Sequence, residues 1–250
     1  MTAPSFTLFP AIDLKDGMIV RLRQGDMGSA HVYGAHPAAQ AEAFAAAGCR
    51  WLHVVDLDGA IAGRSANGDA VAAILERVDM KVQLGGGLRD LPAIEAWLEH
   101  GVARVILGTV AASDPGLLRE ACAAFPGRIL VGIDARSGRV AIAGWERQTE
   151  RDMRDLAASA ADAGAAAIIY TDIARDGMLE GPDIEGTTAL AETVSLPVIA
   201  SGGVRDLADI LALKEAAATA TGRIEGVVVG RALYDGRLDP GAALGRLAAA

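Results

Sequence analysis

The chain has 250 residues, of which 52% are hydrophobic and 4% aromatic, and its 23 Lys and Arg against 32 Asp and Glu give a formal net charge of −9. A hydrophobic fraction of this size excludes an intrinsically disordered chain, and the negative charge argues against nucleic acid or an anionic membrane as a partner. The net charge does not exclude binding of a small phosphate ligand by local backbone structure. With 30 Gly and few aromatic residues, we expect a core of Ala, Val, Ile and Leu, which is typical of parallel strands covered by helices.

The N-terminal segment lacks the features of an export signal. No basic residue precedes its short apolar run, and Asp13 follows early. No apolar stretch approaches the roughly 20 residues that cross a bilayer. We therefore expect a cytoplasmic protein, and the even composition predicts a single domain over residues 1–250. Cys49 and Cys122 lie in Ala-rich helical patterns and are interpreted as small buried side chains, not as a disulfide or a metal pair.

Short β-branched runs alternate with Ala-rich amphipathic stretches along the whole chain. Such alternation predicts a parallel sheet, and right-handed crossovers allow the sheet to close into a (β/α)8 TIM barrel. An open doubly wound sheet is the alternative, but it would call for a GxGxxG turn after the first strand, which residues 13–18 do not supply. The predicted strands are 7–12, 52–57, 81–85, 104–108, 129–134, 167–171, 197–200 and 226–230.

The two halves of the chain resemble each other. LGGGLRD (84–90) matches ASGGVRD (200–206), and AGCRWLHVVDLD (47–58) matches AGAAAIIYTDIA (163–174). PAIDLKDG corresponds to VGIDARSG, and VILGT to VVVGR, in the same order. Four paired features in register predict a barrel built from two duplicated half-barrels.

Two aspartates end corresponding strands of the two halves. Asp13 ends the first predicted strand and Asp134 the fifth, so in a barrel they face each other across the C-terminal mouth. Each precedes a long segment, about 23 residues and about 16 residues, which we expect to be a functional loop covering a site. Two carboxylates with different pKa values are suited to isomerisation, one removing a proton and the other donating one.

Glycine clusters follow the strands at the same mouth. Glycine lets the backbone approach a ligand, and N–H groups at a helix start favour phosphate. The clusters come in two matched pairs, after strands three and four and after strands seven and eight, which predicts a ligand with a phosphate at each end. The residues concerned are Gly86, Gly87, Gly108 and Thr109 in the first half, and Ser201, Gly202, Gly203, Gly230 and Arg231 in the second.

Six motifs carry a resemblance to a known family. FPAIDLKDGMIVRLRQGD, LGGGLRD, VILGT, GIDARSG, IYTDIARDGML and IASGGVRD occur in the order seen in HisA, the isomerase family of histidine biosynthesis. The resemblance covers essentially the whole chain. It implies a duplicated barrel that performs an Amadori rearrangement, converting an N-linked aminoaldose with two phosphates into an aminoketose. It also implies a monomer with no metal and no organic cofactor.

The resemblance assigns roles at matching positions. It makes Asp13 the proton acceptor, leaves Asp134 and Asp176 as alternative proton donors, and places Thr171 at the site. Arg21 and Arg175 are interpreted as loop cations that meet substrate anions, and Trp145 as a ring that stacks on the imidazole; the alternatives are solvated cations and an aromatic packed on its own loop. His53 is interpreted as a satisfied core or helix-facing side chain, and Asp56 and Asp172 as groups that position loops.

Three other functions compete with this interpretation. The sister cyclase HisF shares the phosphate sites and paired aspartates but usually reads CLDV where this chain has Ala11–Leu14. A bifunctional PriA-like isomerase would also accept phosphoribosylanthranilate, but such proteins tend to read SGG at Gly85–Gly87. A non-catalytic phosphosugar-binding barrel would leave the opposed aspartates without a purpose.

Overall fold

The computed structural model describes residues 6–249, and the predicted domain over 1–250 includes residues 1–5 and Ala250 that lie outside it. The strands of the described part are β1 (Thr7–Lys15), β2 (Met18–Arg23), β3 (Asp26–Gly34), β4 (Trp51–Asp56), β5 (Lys81–Gly85), β6 (Arg104–Leu107), β7 (Ile129–Arg136), β8 (Arg139–Ile142), β9 (Arg147–Asp152), β10 (Ala167–Asp172), β11 (Val198–Ser201) and β12 (Ile224–Val229).

Eight of these strands close into a parallel barrel. Their order around the barrel is β1, β4, β5, β6, β7, β10, β11 and β12, and β12 pairs with β1 while β7 pairs with β10. The predicted (β/α)8 barrel is therefore confirmed, and the open doubly wound sheet is wrong because no barrel strand is left with a free edge in the described chain.

Helices cover the outside of the barrel, and several begin where an aspartate side chain caps the first turn. Asp90, Asp114, Asp152 and Asp206 each accept a hydrogen bond from a backbone N–H of the following turn. The helices of the described part are α1 (Pro37–Ala46), α2 (Leu57–Ala62), α3 (Gly68–Arg77), α4 (Leu91–Glu99), α5 (Thr109–Ser113), α6 (Pro115–Ala124), α7 (Met153–Asp162), α8 (Ile184–Thr193), α9 (Leu207–Thr219), α10 (Arg231–Tyr234) and α11 (Pro240–Ala249).

The alternation of side chains along the strands separates two cores. Outward residues such as Leu8 and Ile12 pack against the helices in the large core, whereas Phe9 and Ala11 point into the barrel. The lower barrel is closed by Trp51, whose ring lies 4.3 Å from the Arg104 guanidinium. Packing therefore fills the lower barrel, and small residues at the upper level leave room for a site.

The two long segments expected to be loops are β-hairpins instead. Strands β2 and β3 follow β1, and β8 and β9 follow β7, each hairpin pairing antiparallel with the end of its barrel strand. The prediction that these segments are loops is wrong, because MIVRLR and RVAI contain β-branched and other apolar residues that favour strands and continue the sheet past the barrel rim.

Other features of the described chain agree with the sequence. Both cysteines are buried and free. Among residues 6–249, none of the helices combines the length and the apolar character needed to span a bilayer.

We predict that Asp56 stabilises the first half-barrel strongly. This carboxylate is 2% exposed and accepts from the backbone N–H groups of Gly59, Ala66 and Asn67, as well as from the Asn67 side chain. In Asp56→Ala these buried donors lose their acceptor, so we expect the free energy of unfolding in urea to fall by about 3 kcal/mol or more.

Asp90→Ala is the matched control for this measurement. Asp90 caps α4 through one hydrogen bond from Ala93 N and is exposed, so its removal should cost about 1 kcal/mol. Equal losses in the two variants would contradict the role given to Asp56.

Candidate active site

A cavity of about 530 Å³ lies at the C-terminal mouth of the barrel. It is lined by strand ends, by the turns that follow them and by both hairpins. Of the predicted site residues, Arg175 alone is absent from the lining. Those present are Asp13, Arg21, Gly86, Gly87, Gly108, Thr109, Asp134, Trp145, Thr171, Asp176, Ser201, Gly202, Gly203, Gly230 and Arg231.

Strand periodicity explains how the acidic side chains reach this cavity. Asp13 comes two residues after the inward Ala11, and Thr171 comes two residues after the inward Ile169. Asp134 pairs in register with Thr171 on the neighbouring strand. Because β1 and β7 stand opposite each other in the barrel order, Asp13 and Asp134 enter the cavity from opposite sides.

Asp13 forms an ion pair with Arg21. The Asp13 Oδ2 and Arg21 Nη1 atoms are 2.5 Å apart, and Arg21 is 7% exposed. Arg21 also donates from Nη2 to the carbonyl oxygen of Ala11. The structure thus places Arg21 on strand β2 as a buried partner of a carboxylate. The prediction that it lies on a loop is wrong, the alternative of a solvated cation is wrong as well, and a contact of Arg21 with substrate stays a prediction.

Asp176 lies in the loop after β10 and faces the other charged groups of the cavity. Burial raises the pKa of Asp176 to about 7, and the carboxylates of Asp13, Asp134 and Asp172 add to this rise while the Arg21 guanidinium opposes it. Asp176 therefore retains its proton in a large fraction of molecules at neutral pH, as a general acid must.

Asp134 has a different environment. Burial raises the pKa of Asp134, but hydrogen bonds with the side chains of Trp145 and Thr171 stabilise its charged form and oppose this rise. The carboxyl groups of Asp13, Asp134 and Asp176 therefore share the cavity but differ in their surroundings, with a cation beside Asp13.

The hairpins meet over the cavity. Trp145 packs directly against Gly25, where an added Cβ would lie 2.1 Å from the indole ring. Gln24 N donates to Asp176 O over 3.1 Å, and Arg231 donates to Gly177 O over 2.8 Å. Trp145 thus contacts the opposite hairpin, so the alternative that it packs only on its own loop is wrong, and its stacking on the imidazole stays a prediction.

The glycine turns of the two halves have the same geometry. Gly86 and Gly202 have φ values of 101° and 93°, which only glycine adopts without strain. Gly108 and Gly230 precede the short helices α5 and α10 with φ of −94° and −108° and ψ of −95° and −99°. The turns of the two halves therefore correspond in backbone geometry, and phosphate binding by them stays a prediction.

Arg175 remains bound to its own loop. Its Nε atom lies 3.0 Å from Asp172 Oδ2, and Nη1 donates to Gly181 O over 3.3 Å. Asp172 and Asp56 both position loops, as expected from the sequence, because each accepts hydrogen bonds from the loop after its strand. A contact of Arg175 with substrate stays a prediction.

His53 and Gln83 line the interior below Asp13 and were not singled out as site residues by the sequence. His53 is buried and hydrogen-bonded, as expected, with its Nδ1 atom 2.9 Å from Gln83 Nε2. Its side chain faces the barrel interior, because His53 pairs in register with the inward Ala11. Burial lowers the pKa of His53 to about 4, so its imidazole is neutral at pH 7. Strand parity, counted from Ala11, is the signal that would have found it.

No metal ligand set is formed by the described residues. Among residues 6–249, no three His, Cys, Asp or Glu side chains are arranged to hold a metal ion. The site accordingly offers carboxyl groups, an imidazole, one buried guanidinium and backbone N–H groups.

Comparison with known proteins gives the family. The profile of the family described as "Histidine biosynthesis protein" matches residues 7–239. Curated relatives named 1-(5-phosphoribosyl)-5-((5-phosphoribosylamino)methylideneamino) imidazole-4-carboxamide isomerase occur in several bacteria.

Three of these relatives show the extent of the likeness. The protein of Cereibacter sphaeroides (strain ATCC 17029) is 62% identical over 232 residues, 93% of this chain and 95% of the relative. The protein of Rhodospirillum rubrum is 60% identical over 96% of this chain and 99% of the relative. The protein of Acidiphilium cryptum is 58% identical over 98% of this chain and 99% of the relative. The resemblance carried by the sequence motifs is confirmed, and the chain belongs to the histidine biosynthesis protein family, with the HisA isomerases.

Proposed function

We propose that this protein is an intramolecular aldose–ketose isomerase of L-histidine biosynthesis. Its substrate is the N-linked aminoaldose ProFAR, the compound after which its relatives are named, and its product is the aminoketose PRFAR. The observation that carries the proposal is the meeting of Asp13, Asp134 and Asp176 in one cavity, where Asp13 is paired with Arg21 and burial raises the pKa of Asp134 and of Asp176.

The two pairs of glycine turns are the proposed phosphate sites. Backbone N–H groups in such turns suit phosphate, and glycine lets the ligand approach closely. One pair follows β5 and β6, and the other follows β11 and β12, on opposite sides of the mouth. A substrate with a phosphate at each end would span the cavity and place its ribose carbons between Asp13 and Asp134.

The chemistry requires one proton donor and one proton acceptor. The donor protonates the ribose ring oxygen, the C1–O bond breaks, and the nitrogen lone pair forms a Schiff base at C1. Asp13 then removes the C2 proton, and the electron pair moves through C2 and C1 to nitrogen, giving an enolamine. Protonation at C1 and loss of the hydroxyl proton at C2 complete the ketose, so the net reaction needs no cofactor.

We assign the acid to Asp176 and keep Asp134 as the alternative. Asp176 keeps its proton up to about pH 7, whereas Asp134 has hydrogen bonds that stabilise its charged form. On this assignment Asp134 orients the substrate together with Trp145 and Thr171.

Other functions have less support. The relatives described above carry the isomerase name, which argues against the HisF cyclase, and none of those names mentions phosphoribosylanthranilate. The monomeric state and the cytoplasmic location stay predictions.

We predict that Asp13→Asn lowers kcat for ProFAR by about 10²- to 10⁴-fold, since an amide cannot accept the C2 proton. KM should change much less, because both phosphate sites are intact. Steady-state assay of ketose formation measures both constants. Asp16→Asn, an exposed residue three positions along, is the control and should match the wild type. Near-normal turnover by Asp13→Asn would reject the base assignment, and binding without any turnover by the wild type would favour the non-catalytic barrel.

We predict that kcat/KM falls as the pH rises through about 7. The pKa of Asp176 is raised to about 7, so the proton that the acid must donate is present below this pH and is lost above it. Asp176→Asn should abolish this alkaline limb and reduce kcat by about 10²-fold or more. If Asp134→Asn removes the limb and Asp176→Asn keeps it, the acid is Asp134.

We predict selectivity for the bisphosphate. Phosphoribosylanthranilate has a single phosphate and leaves one pair of glycine turns empty, so its kcat/KM should be at least about 100-fold lower than that of ProFAR. Parallel assays with the two substrates test this. Comparable turnover of both would establish the bifunctional activity instead.

A further inference from the structure

The ring of Tyr234 lies against the cation that partners the proposed base. Tyr234 ends the short helix α10, and its ring centroid is 4.7 Å from the Arg21 Cζ atom. The planar guanidinium and the aromatic face attract each other, and the attraction strengthens where water is excluded, as it is around the buried Arg21.

The same two side chains share one backbone acceptor. The parallel pairing of β1 with β12 ends at Pro10, so the next carbonyl, that of Ala11, is available to side chains. It accepts from Arg21 Nη2 and, over 2.9 Å, from the Tyr234 hydroxyl. Burial raises the pKa of Tyr234 to about 12, so this hydroxyl keeps its proton at any working pH.

These contacts leave the Arg21 guanidinium little freedom. Nη1 reaches Asp13 and Nη2 reaches Ala11, while a Cβ placed on Gly230 would lie 3.0 Å from the Arg21 Cζ and Nη1 atoms. Arg21 Nε is buried and has no hydrogen-bond partner. A buried donor without a partner destabilises the conformation of the Arg21 side chain, so another contact must hold the guanidinium in place. The face of the Tyr234 ring can supply this contact, because an aromatic face is a weak hydrogen-bond acceptor.

A cluster of rings supports Tyr234 from behind. Phe44 meets it edge-on at 6.1 Å between ring centroids, and Tyr33 packs at 5.3 Å with a tilt of 53°. Tyr33 in turn donates its hydroxyl to Asp235 and has no contact with Arg21 among its described interactions. The Tyr234 ring is therefore fixed on one side and presents its face on the other.

We propose that Tyr234 is a positioning residue for the isomerisation, which acts by stacking on Arg21 and thereby holding the guanidinium against the proposed base Asp13. The inference rests on the proposed function for its kinetic consequence, but the stacking itself can be measured separately. Tyr234 does not line the cavity and is not a catalytic residue.

The position of Arg21 also affects the proposed acid. The charged groups that face Asp176 are Asp13 on β1, Arg21 on β2, Asp134 on β7 and Asp172 on β10, and Arg21 is the one that favours the ionised form of Asp176. If the guanidinium moves away, Asp176 holds its proton more tightly. The alkaline limb of the pH profile then moves to higher pH.

The kinetic test compares three variants. We expect Tyr234→Leu to lower kcat about 10- to 30-fold and to move the alkaline limb of kcat/KM up by about 1 pH unit, with a much smaller change in KM. Tyr234→Phe keeps the ring and should stay within about 3-fold of the wild type. Tyr33→Leu removes one of the two rings behind Tyr234 and leaves the stacking face itself in place, so it should lower kcat clearly less than Tyr234→Leu does.

A double-mutant cycle tests whether Tyr234 acts through Arg21. In an Arg21→Met background, Tyr234→Leu should cause no further loss of kcat. Additive losses, an unchanged pH limb in Tyr234→Leu, or an equal loss in Tyr234→Phe or Tyr33→Leu would each overturn the proposal. If Tyr234→Leu does not fold, Tyr234→Met, which also fills the space without a ring, takes its place in every comparison.

A measurement without substrate separates this proposal from the proposed function. In protein labelled with ¹⁵N-arginine, the Arg21 Nε–H proton should show an upfield ring-current shift in the wild type and in Tyr234→Phe, and the shift should vanish in Tyr234→Leu. An unchanged resonance in Tyr234→Leu would overturn the stacking even if the enzyme is active. Absence of wild-type turnover with the expected shifts would contradict the proposed function alone.

Discussion

Crowding of negative charge at one end of the barrel is the constraint on which the site depends. Asp13, Asp134 and Asp176 line one cavity, and the buried guanidinium beside them is that of Arg21. Burial and the repulsion of neighbouring carboxylates raise the pKa of Asp176, while Asp13 is paired with a cation. The protein thus gives three chemically identical side chains different surroundings. The negative net charge of the chain is compatible with the proposed phosphate sites, because backbone dipoles at the glycine turns would attract phosphate locally.

Much of this arrangement could be predicted from the sequence. The predicted strands indicate the barrel, and the internal duplication indicates that Asp13 and Asp134 lie opposite each other. The glycine clusters lie at the strand ends, where the sequence predicts them. What periodicity does not provide is the direction of side chains on the hairpins. Arg21 reaches Asp13 only because β2 folds back with Val20 opposite Asp13, and this register depends on the tight turn at Asp16–Gly17. The contact of Trp145 with Gly25 joins two hairpins that are far apart in sequence, and no local pattern encodes it.

The two halves of the barrel have aspartates at equivalent strand ends, but these aspartates form hydrogen bonds with different residues. Asp56 and Asp172 occupy equivalent strand ends, yet Asp56 holds its loop through Asn67 and backbone donors, whereas Asp172 holds its loop through Arg175. The loop after β10 needs this separate anchor because it carries Asp176 over the cavity. The corresponding segment of the first half forms helix α2 and carries no carboxylate into the cavity. The duplication therefore accounts for the two similar half-barrels, and the difference between their loops accounts for the presence of Asp176 at the cavity.

The two hairpins have a consequence for how a ligand lies in the barrel. The proposed phosphate sites lie at matched glycine turns on opposite sides of the mouth, so a bisphosphate with unlike ends would fit in two directions, only one of which brings the reacting carbons to the proposed base. The hairpins differ, because one presents the Arg21 cation next to Asp13 and the other presents the Trp145 indole next to Asp134. On the proposed function, a planar heterocycle would lie at the indole end and not at the ion pair. The departure from two-fold symmetry would then set the direction in which the substrate lies in an otherwise symmetric cavity.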